Sequence, residues 1–194
     1  MSSKKNQTRK KILQATWKML EESNGQNTKM ADIAKTAGIS RQAMYLHFDS
    51  RIELMIATVK YVDEIKELNK RLELFNAAKT GVEMLNSLVE VWGNYIPEIY
   101  SIAKAMLLTK ENDEATATAW MGCMSGLRSY CQQTIETIYK EKQLNHNWNI
   151  EEAVEILWTY ISIHNWEQLT LECNWSNQKF IKNTQTLLHS ILLT

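Results

Sequence analysis

The run from Thr28 to Phe48, TKMADIAKTAGISRQAMYLHF, leaves this part of the chain little conformational freedom. Met30, Ile33, Ala34 and Ala37 recur at helical spacing and make one small apolar face. Gly38 follows, at the place of a left-handed C-cap that penalises a side chain. Ile39 plugs the turn, and the Ser40 hydroxyl can cap a second helix. In that helix Arg41, Gln42, Tyr45 and His47 point outward, while Ala43, Met44 and Phe48 mostly face in. Two short helices joined by a three- or four-residue glycine turn form a helix-turn-helix, whose second helix can lie in a DNA major groove. Many helical corners carry A-x-x-x-G-I-S, so the weight falls on what comes next.

Tyr45, His47, Phe48 and Arg51 form Y-x-H-F-x-x-R directly after the turn. Here the sequence resembles the TetR family of bacterial transcription regulators. The matching run is I-A-x-x-A-G-I-S-x-x-x-M-Y-x-H-F-x-x-R-x-x-L, from Ile33 to Leu54. Thr8, Arg9, Ile12, Leu13, Ala15, Leu20 and Gly25 also sit where the family's first helix is usually occupied. Lys29 stands where the family often has a small hydroxyl residue, and Gln26 where it often has an aromatic. Arg51 replaces the usual lysine, keeping the charge with a different geometry. The resemblance covers about the first quarter of the chain.

Composition agrees with helices throughout. One proline and six glycines in 194 residues are few, and Leu, Ile, Ala, Glu, Lys and Gln are abundant. No apolar run is long enough to span a bilayer, and SSKKNQTRKK has no apolar core behind its charges, so no secretory signal is expected. Cys123, Cys131 and Cys173 are odd in number and lack C-x-x-C spacing; they read as buried thiols in a reducing cytoplasm. The zero net charge hides an asymmetry. Residues 1–51 hold ten Lys/Arg against four Asp/Glu, and the rest hold twelve against eighteen. A basic head on an acidic body suits one phosphate-binding end and one end that shuns DNA.

Taken in order, residues 1–7 read as a disordered arm carrying Lys4 and Lys5. Helix 1 spans about Thr8 to Glu22, ended by Asn24 and Gly25, and Thr28 caps the next helix. Ser50-x-x-Glu53 opens a long helix whose apolar pattern runs to about Phe75. A helix from about Ala77 to Tyr95 meets Pro97, which starts another to about Thr109. Asp113 or Asn112 caps a helix to about Lys142, in which Gly122 and Gly126 permit close packing. Asn149-x-x-Glu152 opens a helix to Cys173 that is apolar nearly all round, and Ser176 caps the last. The last two helices bury two faces, either in a partner copy or centrally in one larger core.

The chain thus reads as an all-α protein of about nine helices: a helix-turn-helix DNA-binding domain over 1–50 and a helical ligand-binding and dimerisation domain over 51–194. Arg41 and Gln42 are the candidates for base edges, bidentate to guanine and adenine respectively. Ala43 is small enough to let the helix approach a thymine methyl. Thr28, Lys29 and Lys35 are backbone contacts that position without specifying. Tyr45, His47 and Arg51 read as phosphate or groove-wall contacts, as similar residues are in the family. The resemblance further implies a homodimer through the last two helices, bound to a palindromic double-stranded operator with recognition helices about 34–36 Å apart. It implies an inducer whose binding tilts the fourth helix and releases a repressor, given unequal affinity of the ligand for the two shapes. Trp92, Met106, Trp120, Met124 and Trp158 are the candidate lining of an apolar cavity, although tryptophan and methionine on helical faces are more often plain core. No cofactor or metal is expected; His146, His164 and His189 have no metal-like spacing. No glycine-rich phosphate loop, His/carboxylate motif or nucleophile elbow argues for an enzyme. The alternative function is a nonspecific or architectural DNA-binding dimer.

Overall fold

The structure is a computed structural model that describes residues 2–22 and 28–194, with side chains from Lys5 onward. The expected helix end at Asn24 and Gly25, and the departure at Gln26, lie outside the described residues. By their contacts the residues fall into two compact units, 1–66 with 99–123 and 67–98 with 124–194.

The first unit holds α1 (Ser2–Glu22), α2 (Met30–Thr36), α3 (Arg41–Tyr45) and α4 (Arg51–Ile65). It also holds the end of α6 (Gly81–Thr109) and the start of α7 (Glu114–Lys140). One core joins Ile12, Leu13, Ile33, Ala34, Met44, Phe48, Leu54 and Tyr61. A second joins Leu20, Met55, Val62, Ile102, Met106, Ala115 and Ala119. Helix α1 is longer than its sequence suggests: residues from Ser2 are helical and form no separate arm. Thr28 does not cap α2; that position falls to Lys29, which makes no side-chain cap bond. At α4 the Ser50 hydroxyl accepts from the Glu53 N–H at 3.1 Å, but Glu53 reaches back to the Asp49 N–H, one residue beyond a reciprocal capping box.

The long helix expected from Ser50 to Phe75 breaks at Glu67, whose φ of 54° is left-handed. The chain resumes as α5 (Leu68–Asn76). Beyond the break Leu72 and Phe75 are buried, and before it Ile65 is 52% exposed. Conversely, Pro97 does not divide α6, which is continuous through it. Pro97 removes one backbone donor, and its neighbours Tyr95 and Ile96 are almost fully buried. Packing of that face outweighs the lost bond.

The second unit is built around Leu85, Leu88, Cys131, Ile135, Ile138, Val154, Leu157 and Leu188. The apolar run expected as one helix to Cys173 is three pieces: α8 (Ile150–Tyr160), α9 (Ile163–Glu167) and a π-helical turn over Gln168–Glu172. Ser162 explains the first division, because its hydroxyl caps α9 by accepting from the Asn165 N–H at 3.3 Å. Asn149 and Glu152 do form a reciprocal capping box, and Ser176 caps the final α10 (Asn177–Leu192). The close-packing glycines are not Gly122 and Gly126, whose missing Cβ atoms would meet nothing within 4 Å. They are Gly81 and Gly93, where a Cβ would lie 2.6 Å from the Ile138 nitrogen and 2.5 Å from the Ile181 Cγ1. Cys131 is buried and Cys123 half-buried, but Cys173 is exposed, after the π-helical turn has carried the chain off the core.

Candidate nucleic-acid interface

The corner between α2 and α3 is made by local bonds. Gly38 has φ +70°; its N–H donates to the Lys35 carbonyl at 3.1 Å and that of Ile39 to the Ala34 carbonyl at 3.0 Å. These two bonds are a Schellman motif, which satisfies the last carbonyls of α2. Ser40 then caps α3 by accepting from the Ala43 N–H at 3.1 Å. Met44 and Phe48 are wholly buried and fix the helix on its inner side.

The opposite face is open. Arg41, Gln42 and Tyr45 are exposed, Ala43 is half-buried, and Lys29 and Lys35 are exposed beside α2. Leu46 was missed by sequence reasoning, which read apolar residues as inward. It sits in the turn just after α3 and is 76% exposed. Only the short length of α3 could have signalled that.

His47 is half-buried; its Nδ1 is enclosed without a hydrogen-bond partner, and the Arg9 Nη1 donates to its carbonyl at 2.7 Å. Burial, with the charges of Lys5 and Arg9, pushes its imidazolium below the ordinary histidine range. Arg51 and Thr28 face inward: the Arg51 guanidinium bonds both oxygens of Asp113 and the Thr28 carbonyl, and Thr28 is 8% exposed.

The candidate ligand residues are divided. Met106 and Trp120 pack in the second core of the first unit, and the Lys110 ammonium lies 5.9 Å from the Trp120 ring centroid. Trp92, Met124 and Trp158 belong to the second unit, where Trp92 and Trp158 pack against its core. A cleft of about 300 Å³ in that unit is lined by Trp148, Glu152, Glu155, Ile156, Thr159 and Tyr160, with none of those five. Among the described residues no His/Cys/Asp/Glu group could hold a metal ion, and no helix is long and apolar enough to cross a membrane.

A short helix held by its inner face, presenting arginine and glutamine outward beside exposed lysines, defines a helix-turn-helix DNA-binding protein. Residues 12–58 match the family described as bacterial regulatory proteins, tetR family. Over that stretch the chain carries the DNA-binding region that this family model describes. Among curated relatives it is 30% identical over 115 residues to the nucleoid occlusion factor SlmA of Marinomonas sp., a match spanning 58% of each chain. Among solved structures it shares its fold with a Saccharomonospora viridis protein crystallised in complex with choline (TM-score 0.74, 15% identity, 97% of this chain and 99% of that one). The transcriptional regulator FadR of Bacillus subtilis, in complex with stearoyl-CoA, is similar too (TM-score 0.71, 14% identity, 92% and 96% covered).

Proposed function

We propose that this DNA-binding regulator is a repressor that recognises a palindromic operator as a homodimer and leaves it when a small, largely apolar ligand binds. The observation that carries the reading is the exposed set Arg41, Gln42 and Tyr45, with half-buried Ala43 among them, on a helix pinned by buried Met44 and Phe48. Arg41 and Gln42 read base edges, Ala43 lets the helix approach a thymine methyl, and Tyr45, Lys29 and Lys35 hold phosphate. Dimerisation runs through α8 and α10, on which half-buried Ile156 and Tyr160 and the 41%-exposed Leu187 offer apolar surface. The protein works in the cytoplasm, where chromosomal DNA lies, and its action contains no catalytic step.

Mobility-shift titration tests the reading. A duplex selected by the protein from a random-sequence pool should bind at least a hundredfold more tightly than a scrambled one, within the usual range of specificity ratios. Equal affinities would remove sequence recognition. A thermal-shift series with fatty acyl and other apolar compounds tests the ligand, which must raise the melting temperature and weaken the operator complex together. A second reading is favoured by the Marinomonas relative, described as a nucleoid occlusion factor. It has the chain as a nonspecific or architectural DNA-binding dimer without ligand control, and predicts equal affinity for the selected and scrambled duplexes that no small ligand weakens.

A further inference from the structure

Arg51 occupies the first turn of α4, yet its side chain is only 18% exposed. Its guanidinium is used inward. Nε donates to the Asp113 Oδ1 at 3.1 Å and Nη2 to Oδ2 at 2.9 Å, a parallel two-bond fork. Nη1 donates to the Thr28 carbonyl. Asp113 is equally committed: its side chain is 6% exposed, and Oδ2 accepts the Thr116 N–H at 3.1 Å and the Thr116 hydroxyl, capping α7. Three segments distant in sequence therefore meet at one charge pair. They are the residue leading into α2, the start of α4 and the start of α7.

The site matters for DNA because α2 begins without a side-chain cap. The Thr28 carbonyl bond holds the chain as it enters α2. Helix α2 supports α3 directly, through the shared core of Ile33, Ala34 and Met44. A lysine in place of Arg51 would bring one compact charge, unable to serve both carboxylate oxygens and the carbonyl with a rigid fork. For Arg51 to reach a phosphate it would have to abandon a buried carboxylate, leaving that charge unpaired.

Resting on the DNA-binding reading above, we infer that Arg51 and Asp113 form a positioning joint for DNA recognition, setting the start of α2 and through it the presentation of α3, and that Arg51 makes no phosphate contact. The pair acts through Thr28 and α2 rather than by touching DNA.

The test is a fluorescence-anisotropy titration of wild type, Arg51→Lys, Arg51→Met and Asp113→Asn across a KCl series. The probes are the selected duplex and its scrambled counterpart. A joint predicts that Arg51→Lys and Asp113→Asn each weaken the selected duplex about tenfold or more without weakening the scrambled one. It also predicts that the slope of log affinity against log salt stays at the wild-type value in Arg51→Met, because no phosphate contact is lost. A slope smaller by about 0.9 per subunit in Arg51→Met, with Arg51→Lys binding like wild type, would mark Arg51 as a phosphate ligand and overturn the inference. Should Asp113→Asn fail to fold, exchange of the Arg51 Nε–H in wild-type protein decides the matter. Slow exchange that DNA does not change supports the joint; a resonance that shifts and exchanges faster with DNA refutes it. Wild type without preference for the selected duplex would sink the sequence-recognition reading itself, whereas preference kept by every variant would sink the joint alone.

Discussion

The Arg9 guanidinium lies over the Phe48 ring, 4.0 Å from its centroid, while its Nη1 donates to the His47 carbonyl at 2.7 Å. One side chain of α1 thus closes the end of the helix-turn-helix by stacking and by hydrogen bonding. Its ion pair with Glu53, at 3.9 Å between half-exposed groups, adds little. Arg9→Ala should lower stability by about 1–2 kcal/mol, from the lost cation–π contact and charge-assisted bond. Urea unfolding measures it; Arg9→Lys, which cannot stack as a plane, should recover less than half.

The imidazole of His47 should make stability depend on pH. Burial, then Lys5 and Arg9, hold its pKa below the ordinary 6.5. The unfolded chain therefore binds the proton first, and the folded protein loses stability as pH falls through 6.5. Midpoints of unfolding should drop between pH 7.5 and 5.5, and His47→Gln should flatten that slope. Asp113 acts in a lower window. Burial raises its pKa, but the Arg51 and Thr116 bonds prevail and hold it below 3.8. Its contribution is complete above that value and disappears in stronger acid.

Two glycines separate backbone strain from collision. Gly38 has φ +70° with open space around it, so Gly38→Ala should cost about 1–2 kcal/mol from conformation alone. At Gly81 a Cβ would meet Ile138 backbone atoms at 2.6 and 2.8 Å, which cannot yield as a side-chain tip would. Gly81→Ala should therefore lose more, about 3 kcal/mol or beyond, as overpacking does. Equal losses in denaturant titrations would contradict this.

Thiol labelling should discriminate sharply among the cysteines. Cys173 is exposed, whereas burial pushes the Cys131 thiol up to about 12 and that of Cys123, helped by Asp63, to about 11. A disulfide reagent at pH 8 should label one thiol quickly and the other two only after unfolding, since the thiolate is the reactive form. Mass mapping of the modified peptide checks which.

What could be read from sequence was what neighbours in sequence decide. The Gly38 turn, the Ser40 cap, the Asn149–Glu152 box and the Ser176 cap each need only a few adjacent residues, and each is present. Pro97, Glu67 and Ser162 misled for the opposite reason. Whether a helix survives a proline, or breaks without one, depends on what covers its faces. The exposed half of the interface followed from helical spacing around Arg41 and Gln42. The inward use of Arg51 did not, because its partner Asp113 is 62 residues away. A charge beside a recognition helix looks the same in sequence whether it meets phosphate or a buried carboxylate.

The crossing from α4 to α5 has a consequence of its own. A glutamate kept at φ 54° holds its backbone in a region that a side chain occupies only at a penalty of about 1–2 kcal/mol. The penalty disappears where that residue has no Cβ. Glu67→Gly would relax it in the folded chain while loosening the unfolded one. The cost of that left-handed backbone is thus carried by one residue, and a single codon change removes it.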